Sequence, residues 1–172
     1  LLSCTQSVKQ PVDWVDTQLG ATHCRWFFYT PAALPFGMAK LAPTTDAYGS
    51  LGSWLPNGYD DRHTSIEGFA HFHEFQIGGI VTMPVVGALK TLPGTLENPD
   101  NGYRSRFDKS SEKAFPGYYG VTLSDYGIKA ELTATERVGY HRYTYPQSDT
   151  ARILFDVGHP QGESAKVVDT HI

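Results

Sequence analysis

Two histidines two positions apart, His71 and His73, are the first residues whose types and spacing could do chemistry. In an extended segment, positions i and i+2 share a face, so both imidazoles would point the same way. A metal site wants three or four ligands. No third His or Cys stands at a telling spacing, and Glu74 would point to the opposite face. The pair therefore reads better as imidazoles that hydrogen-bond a polar ligand or the backbone than as metal ligands. Asp60, Asp61, Glu67 and Glu74 could supply a carboxylate pair. Glycoside hydrolysis needs two such groups about 5 to 10 Å apart, a separation that chain order alone does not fix. Cys24, between His23 and Arg25, reads as a reactive thiol or, more plainly, as a small buried Cys. No GxSxG elbow, phosphate-binding glycine loop or GxGxxG run is present.

These residues fall in one stretch, Pro31 to Gly79, where Pro, Gly, aromatics and polar residues are densely mixed around a lone Trp54. Loops of that kind, held on a rigid scaffold, are where binding and chemistry concentrate. The scaffold reads from composition. The chain has 172 residues with 10 Tyr and 9 Phe, and such aromatics suit strands. Its 17 Gly and 11 Pro imply many turns. A net charge of −4 with no basic run argues against a nucleic-acid partner, and no apolar run is long enough to span a membrane as a helix.

The last third gives the elements most clearly. Tyr118 to Ser124 reads as a strand and Asp125-Tyr126-Gly127 as a turn. Ile128, Ala130, Leu132 and Ala134 then alternate with Lys129, Glu131, Thr133 and Thr135, the pattern of a strand with one wet face. Tyr140 to Tyr145 follows with His141, Tyr143 and Tyr145 on one face, then Ala151 to Val157. Short strands about ten residues apart, with no amphipathic helix, predict an antiparallel β-sandwich. Earlier, Met38 to Leu41 reads as a short strand, Val12 to Leu19 as a strand or helical turn, and Ile80 to Val86 as a strand. Pro84 argues that this last strand is an edge or carries a bulge. Residues 1–11 read as leader and linker and 12–172 as the sandwich, expected to continue past its last residue. Leu1-Leu2-Ser3-Cys4 has the form of the end of a bacterial lipoprotein signal, with Cys4 the lipidated residue.

Several blocks taken together resemble the amino-terminal domain of family 92 glycoside hydrolases. They are PAALPFGMAKLAPTT from Pro31, Gly58-Tyr59, Ile66 to His73, Tyr103 to Phe107, Pro116 to Tyr119, and Gly127 to Pro146. The resemblance implies a β-sandwich packed on a helical (α/α)₆ barrel, in an exo-acting α-mannosidase that inverts the anomeric centre. It implies a general-acid Glu, an Asp-assisted water and a calcium ion on the mannose hydroxyls, all belonging mainly to the barrel. No catalytic residue is therefore expected in this chain. The sandwich is expected to lend pocket loops, with Trp54 stacking on the sugar and His71 and His73 bonding its hydroxyls. The fragment alone is expected to be inactive, in a secreted, periplasmic or lipid-anchored bacterial protein. Two segments depart from the family pattern, residues 21–29 and Glu74-Phe75-Gln76, the latter in place of the usual Leu-Ser-Gly. They leave the linkage preference open. The rival readings are a non-catalytic carbohydrate-binding or scaffolding sandwich, and a small zinc protein built on His71 and His73.

Overall fold

A computed structural model describes residues 8–22, 29–46, 58–73, 77–159 and 167–171. Its strands, in chain order, are β1 (Ala32–Ala33), β2 (Lys40–Thr44), β3 (Ser65–Ile66), β4 (Gly68–Ala70), β5 (Phe72–His73), β6 (Ile77–Gly78) and β7 (Val81–Val85). They continue with β8 (Ser105–Arg106), β9 (Lys113–Phe115), β10 (Tyr118–Leu123), β11 (Ile128–Ala134), β12 (Gly139–Thr144) and β13 (Arg152–Asp156). The only helical pieces among the described residues are 3₁₀ turns, the first at Pro11–Trp14, where the sequence left strand or helical turn open. All strand pairs among the described residues are antiparallel. They form a five-stranded sheet in the order β1-β2-β4-β7-β13, a four-stranded sheet in the order β12-β11-β10-β9, and two small two-stranded ribbons.

The four-stranded sheet follows its alternation. Gly127, at φ +63°, closes the tight turn that aligns Leu123 with Ile128 and Tyr118 with Thr133. Ile128, Ala130, Leu132 and Ala134 are buried, whereas Lys129 and Thr133 face water. Burying a side chain such as Leu132 is worth roughly 1.5–3 kcal/mol. Glu131 breaks the alternation: it sits on the outer face yet is only 7% exposed. His141, Tyr143 and Tyr145 share the inner face of β12 and its end, all half-buried.

The five-stranded sheet is buried on both faces at its centre, so it shows no such alternation. Every residue of β4 and of β7 is buried. A Cβ at Gly68 would meet Val81 Cγ1 at 2.3 Å and the Thr82 carbonyl at 3.1 Å, so β4 needs a glycine there to lie close to β7. The expectation that Pro84 marks an edge strand needs correction: β7 lies inside the sheet, between β4 and β13. Its ladder to β4 is a single pair, Phe69 with Thr82. Pro84 falls beyond that pair, opposite Ile153, where a missing donor is tolerated. Likewise β2 runs through Pro43 to Thr44 rather than stopping before it. One apolar cluster joins Leu41, Phe69 and Met83 of the first sheet to Val121, Ile128 and Leu132 of the second. The two sheets are thus the layers of a sandwich.

Candidate functional site

Two adjacent residues at the end of β2, Thr44 and Thr45, hold the two loops on which the functional reading rests. Both are fully buried. Residues 47–57 lie outside the described residues, and the positions that flank them, Asp46 and Gly58, form an antiparallel bridge. The Gly58 carbonyl accepts from the N–H groups of Thr45 and Asp46 at 2.6 and 3.1 Å. The Thr45 hydroxyl accepts from the Asp60 N–H at 3.1 Å and lies 2.8 Å from His63 Nδ1. The second loop is the ribbon of β5 and β6, in which His73 pairs with Ile77. Thr44 Oγ1 lies 3.3 Å from His73 Nε2 and ties that ribbon to β2.

Beneath this platform lies a buried charge cluster. Arg104 donates through Nε to Ser65 Oγ at 3.0 Å and through Nη2 to the Thr45 carbonyl. Its Nη1 lies 3.9 Å from Glu67 Oε2, and Glu67 Oε1 lies 3.7 Å from His159 Nε2. Burial pulls the Arg104 guanidinium down from its usual pKa while Glu67 pushes it back up; an arginine stays charged regardless. The fork of a guanidinium bonds two fixed acceptors at once, so Arg104 sets where Thr45, and with it the Asp46–Gly58 bridge, sits.

A second network joins this region to β12. His71 Nδ1 lies 3.1 Å from the Ile80 carbonyl, which can only accept, so Nδ1 carries the proton and Nε2 is bare. His71 Nε2 lies 2.9 Å from His141 Nε2, which must then donate. His141 Nδ1, left as an acceptor, takes the Tyr143 hydroxyl at 2.8 Å, and Tyr143 Oη lies 3.0 Å from Thr82 Oγ1, which also reaches the Phe69 carbonyl at 3.4 Å. The bond pattern thus orders the protons from Tyr143 to Ile80. Burial, and then the neighbouring His71, lower the His141 pKa to about 4, which keeps that ring neutral and the order intact.

The carboxylates are engaged with cations. Burial pushes Asp60 up, but two hydrogen bonds from the Arg62 side chain, at 2.6 and 2.9 Å, help to hold it below the usual range. Asp61 meets Lys109 at 2.9 Å. Glu112 accepts from the hydroxyls of Tyr59 and Tyr119 at 2.8 and 2.7 Å and pairs with Lys109. Among the described residues no three His, Cys, Asp or Glu side chains come together to hold a metal ion.

The sequence matches the model of the glycosyl hydrolase family 92 N-terminal domain over residues 14–172. The chain belongs to that family. It is similar to a family 92 α-mannosidase of Bacteroides thetaiotaomicron, solved with mannoimidazole. The identity is 38% and the TM-score 0.75, over 83% of this chain and 19% of that one. An inverting mannosidase of the same family and species matches at 25% identity and a TM-score of 0.61, over 85% of this chain and 20% of that one. An uncharacterized secreted glycosidase of Arthroderma benhamiae is 29% identical over 69% of this chain and 15% of its own length. The chain therefore spans well under a third of the proteins it matches.

Within this family 92 domain the predicted sugar contacts stand apart. His71 is half-buried and engaged with His141 and Ile80, while His73 is fully buried against Thr44. Both imidazoles bond protein groups, His71 toward β12 and His73 toward β2. Trp54 lies outside the described residues, as do Cys4, Cys24 and Glu74. Sequence reasoning missed Thr45, Arg104 and His141. Arg104 stands inside a matched block, Tyr103 to Phe107, between residues of strand-like type, and a lone Arg there was the available signal of a buried pair. His141 was placed on the correct face, but nothing in chain order pairs it with His71.

Proposed function

We propose that this domain forms one wall of the sugar pocket of an exo-acting, inverting α-mannosidase that removes terminal α-mannose from glycans. The observation that carries the reading is the 38% identity to an α-mannosidase of which this chain spans only 19%. The acid, the base and the calcium ligands belong to a helical domain beyond residues 1–172. The present chain contributes the loop 47–57, with Trp54 against the sugar ring, and the β5–β6 ribbon. Thr44 and Thr45 support that reading, because they fix both loops to one strand end. Catalysis needs such loops held to within a fraction of an ångström. His71 and His73 act in it as positioning residues; any bond to a sugar hydroxyl is second to the bonds they already make.

The protein works outside the cell. The secreted relative supports that placement, and a lipid on Cys4 would retain the protein at a membrane surface, provided more than one acyl chain is added. Metabolic labelling with a clickable fatty acid, lost in Cys4→Ala, checks the anchor.

The function is tested by incubating the purified 172-residue chain with an α-mannoside and calcium, beside the longer protein that carries it. Mannose release by the longer protein alone is expected, with the β-anomer as first product. Release by the short chain at a comparable rate would place the machinery here and overturn the reading.

A further inference from the structure

The outer face of the four-stranded sheet takes no part in the site above, and its side chains form an ordered grid. Register sets the rows: Phe115, Tyr118, Thr133 and Tyr140 lie side by side across the four strands, as do Lys113, Gly120, Glu131 and Arg142. Strands about 4.8 Å apart make each row roughly 14 Å long, enough for several sugar rings.

The first row carries three aromatic rings, with Phe115 stacked on Tyr118. The Phe115 and Tyr118 rings stack at 4.7 Å with a 15° interplanar angle. Tyr118 lies flat over Gly120, where a Cβ would meet its hydroxyl oxygen at 2.7 Å. Phe115 is 51% exposed and Tyr140 53%. Tyr118 and Tyr140 line one cleft of about 430 Å³ with Glu131 and Arg142.

Glu131 fixes Tyr118 in place. It accepts Tyr118 Oη at 2.8 Å, Arg142 Nε and Nη2 at 2.8 and 2.9 Å, and Lys129 Nζ at 3.0 Å. Its hydrogen bonds, Arg142's first, hold its pKa at about 2, so it stays a carboxylate. Arg142 spends two of its five N–H donors on Glu131 and keeps three for a ligand. Its side chain is 73% exposed. Lys113, Lys129 and Arg142 outnumber the single carboxylate, so the face is cationic on a chain whose net charge is −4. A fixed guanidinium beside flat, exposed aromatic rings suits a ligand with apolar ring faces and anionic oxygens.

We propose that this face is a second glycan-binding site, which takes a polysaccharide of pyranose rings bearing phosphate or carboxylate groups. Pyranose C–H faces lie on Phe115, which Tyr118 supports from below, and on Tyr140, and the anion meets Arg142 and the lysines. Only the choice of a sugar rests on the mannosidase reading; binding here needs no hydrolysis, so the two fail separately.

The test measures dissociation constants of the longer protein carrying this chain for phosphomannan, the same polymer stripped of phosphate, and alginate. Tight binding of phosphomannan, alginate or both is expected, with the stripped polymer about tenfold or more weaker, since charged hydrogen bonds carry that much. Binding of one polymer alone assigns the anion as phosphate or carboxylate. Arg142→Ala and Tyr140→Ala should each weaken binding about tenfold. Gly120→Ala, which lifts the Tyr118 ring without changing charge, should weaken it too, whereas Lys90→Ala, the same charge change elsewhere, should not. Equal affinity for the stripped polymer, no binding by the folded protein, or equally tight DNA binding indifferent to Tyr140→Ala would overturn the proposal. So would protection of Tyr140 from hydroxyl-radical labelling before any polymer is added, which would put another domain on the face.

Discussion

The two sheets of this sandwich handle their polar residues in opposite ways. The four-stranded sheet keeps polar groups on an outer face, alternating with a buried apolar one, and its long strands are joined by tight turns. The five-stranded sheet takes polar groups inside: Thr44, Thr45, Ser65, Glu67, His73, Arg104 and His159 are all buried beside its short strands. A buried polar group must be satisfied in place, so this second region fixes loop positions through specific bonds rather than through area. The contrast separates a layer that supplies stability from one that spends some of it on geometry.

The largest expected effect tests the buried charges. Arg104→Met leaves Glu67 without its guanidinium and should cost roughly 3–5 kcal/mol in chemical denaturation. A loss under about 1 kcal/mol would mean that the cluster is as slack as an exposed pair. Leu132→Ala probes the other layer. It should cost about 2–5 kcal/mol while leaving the tyrosine and histidine signals of the five-stranded side in a native NMR spectrum. Selective broadening of those signals would make the layers one unit.

The link between the layers titrates. His141 has a folded pKa of about 4 against an ordinary value of 6.5, so the native state binds fewer protons between those values. Stability should be full above pH 6.5 and fall as the pH drops toward 4. His141→Gln should flatten that slope, and an unchanged slope would assign it to other groups. The smallest effect belongs to the wet face: Arg142→Ala, although it breaks two bonds to Glu131, should cost about 1 kcal/mol or less, because the pair is exposed on the arginine side.

Legibility in the sequence divides along the same line. The strands from Tyr118 to Thr144 were readable because apolar residues recur at every second position, most plainly in β11, and Gly127 marks a turn. In the five-stranded sheet β7 and β13 were legible as apolar runs, but β4 and the extent of β2 were not, because burial on both faces erases alternation, and a two-residue strand such as β1 carries no period. Pro84 misled for that reason: proline disfavours a central strand only where it faces a donor-hungry neighbour, and β4 is too short to be one there. At the candidate site, His71 and His73 were noticed from their spacing, but their partners Thr44 and His141 lie 29 and 70 residues away, a pairing only the fold supplies. Glu131 was read as a wet-face residue, since the tyrosine and arginine that cover it come from neighbouring strands.

We propose that buried polar bonds in the five-stranded layer position the loops of a mannose pocket. Arg104→Lys tests it most directly, because it keeps the charge facing Glu67 but loses the fork that bonds Ser65 and Thr45 together. The measurement is kcat/KM for an α-mannoside in the longer protein, taken beside its melting temperature. A fall of roughly tenfold to a hundredfold is expected at a temperature where the variant is fully folded. An unchanged kcat/KM in the folded variant would contradict it.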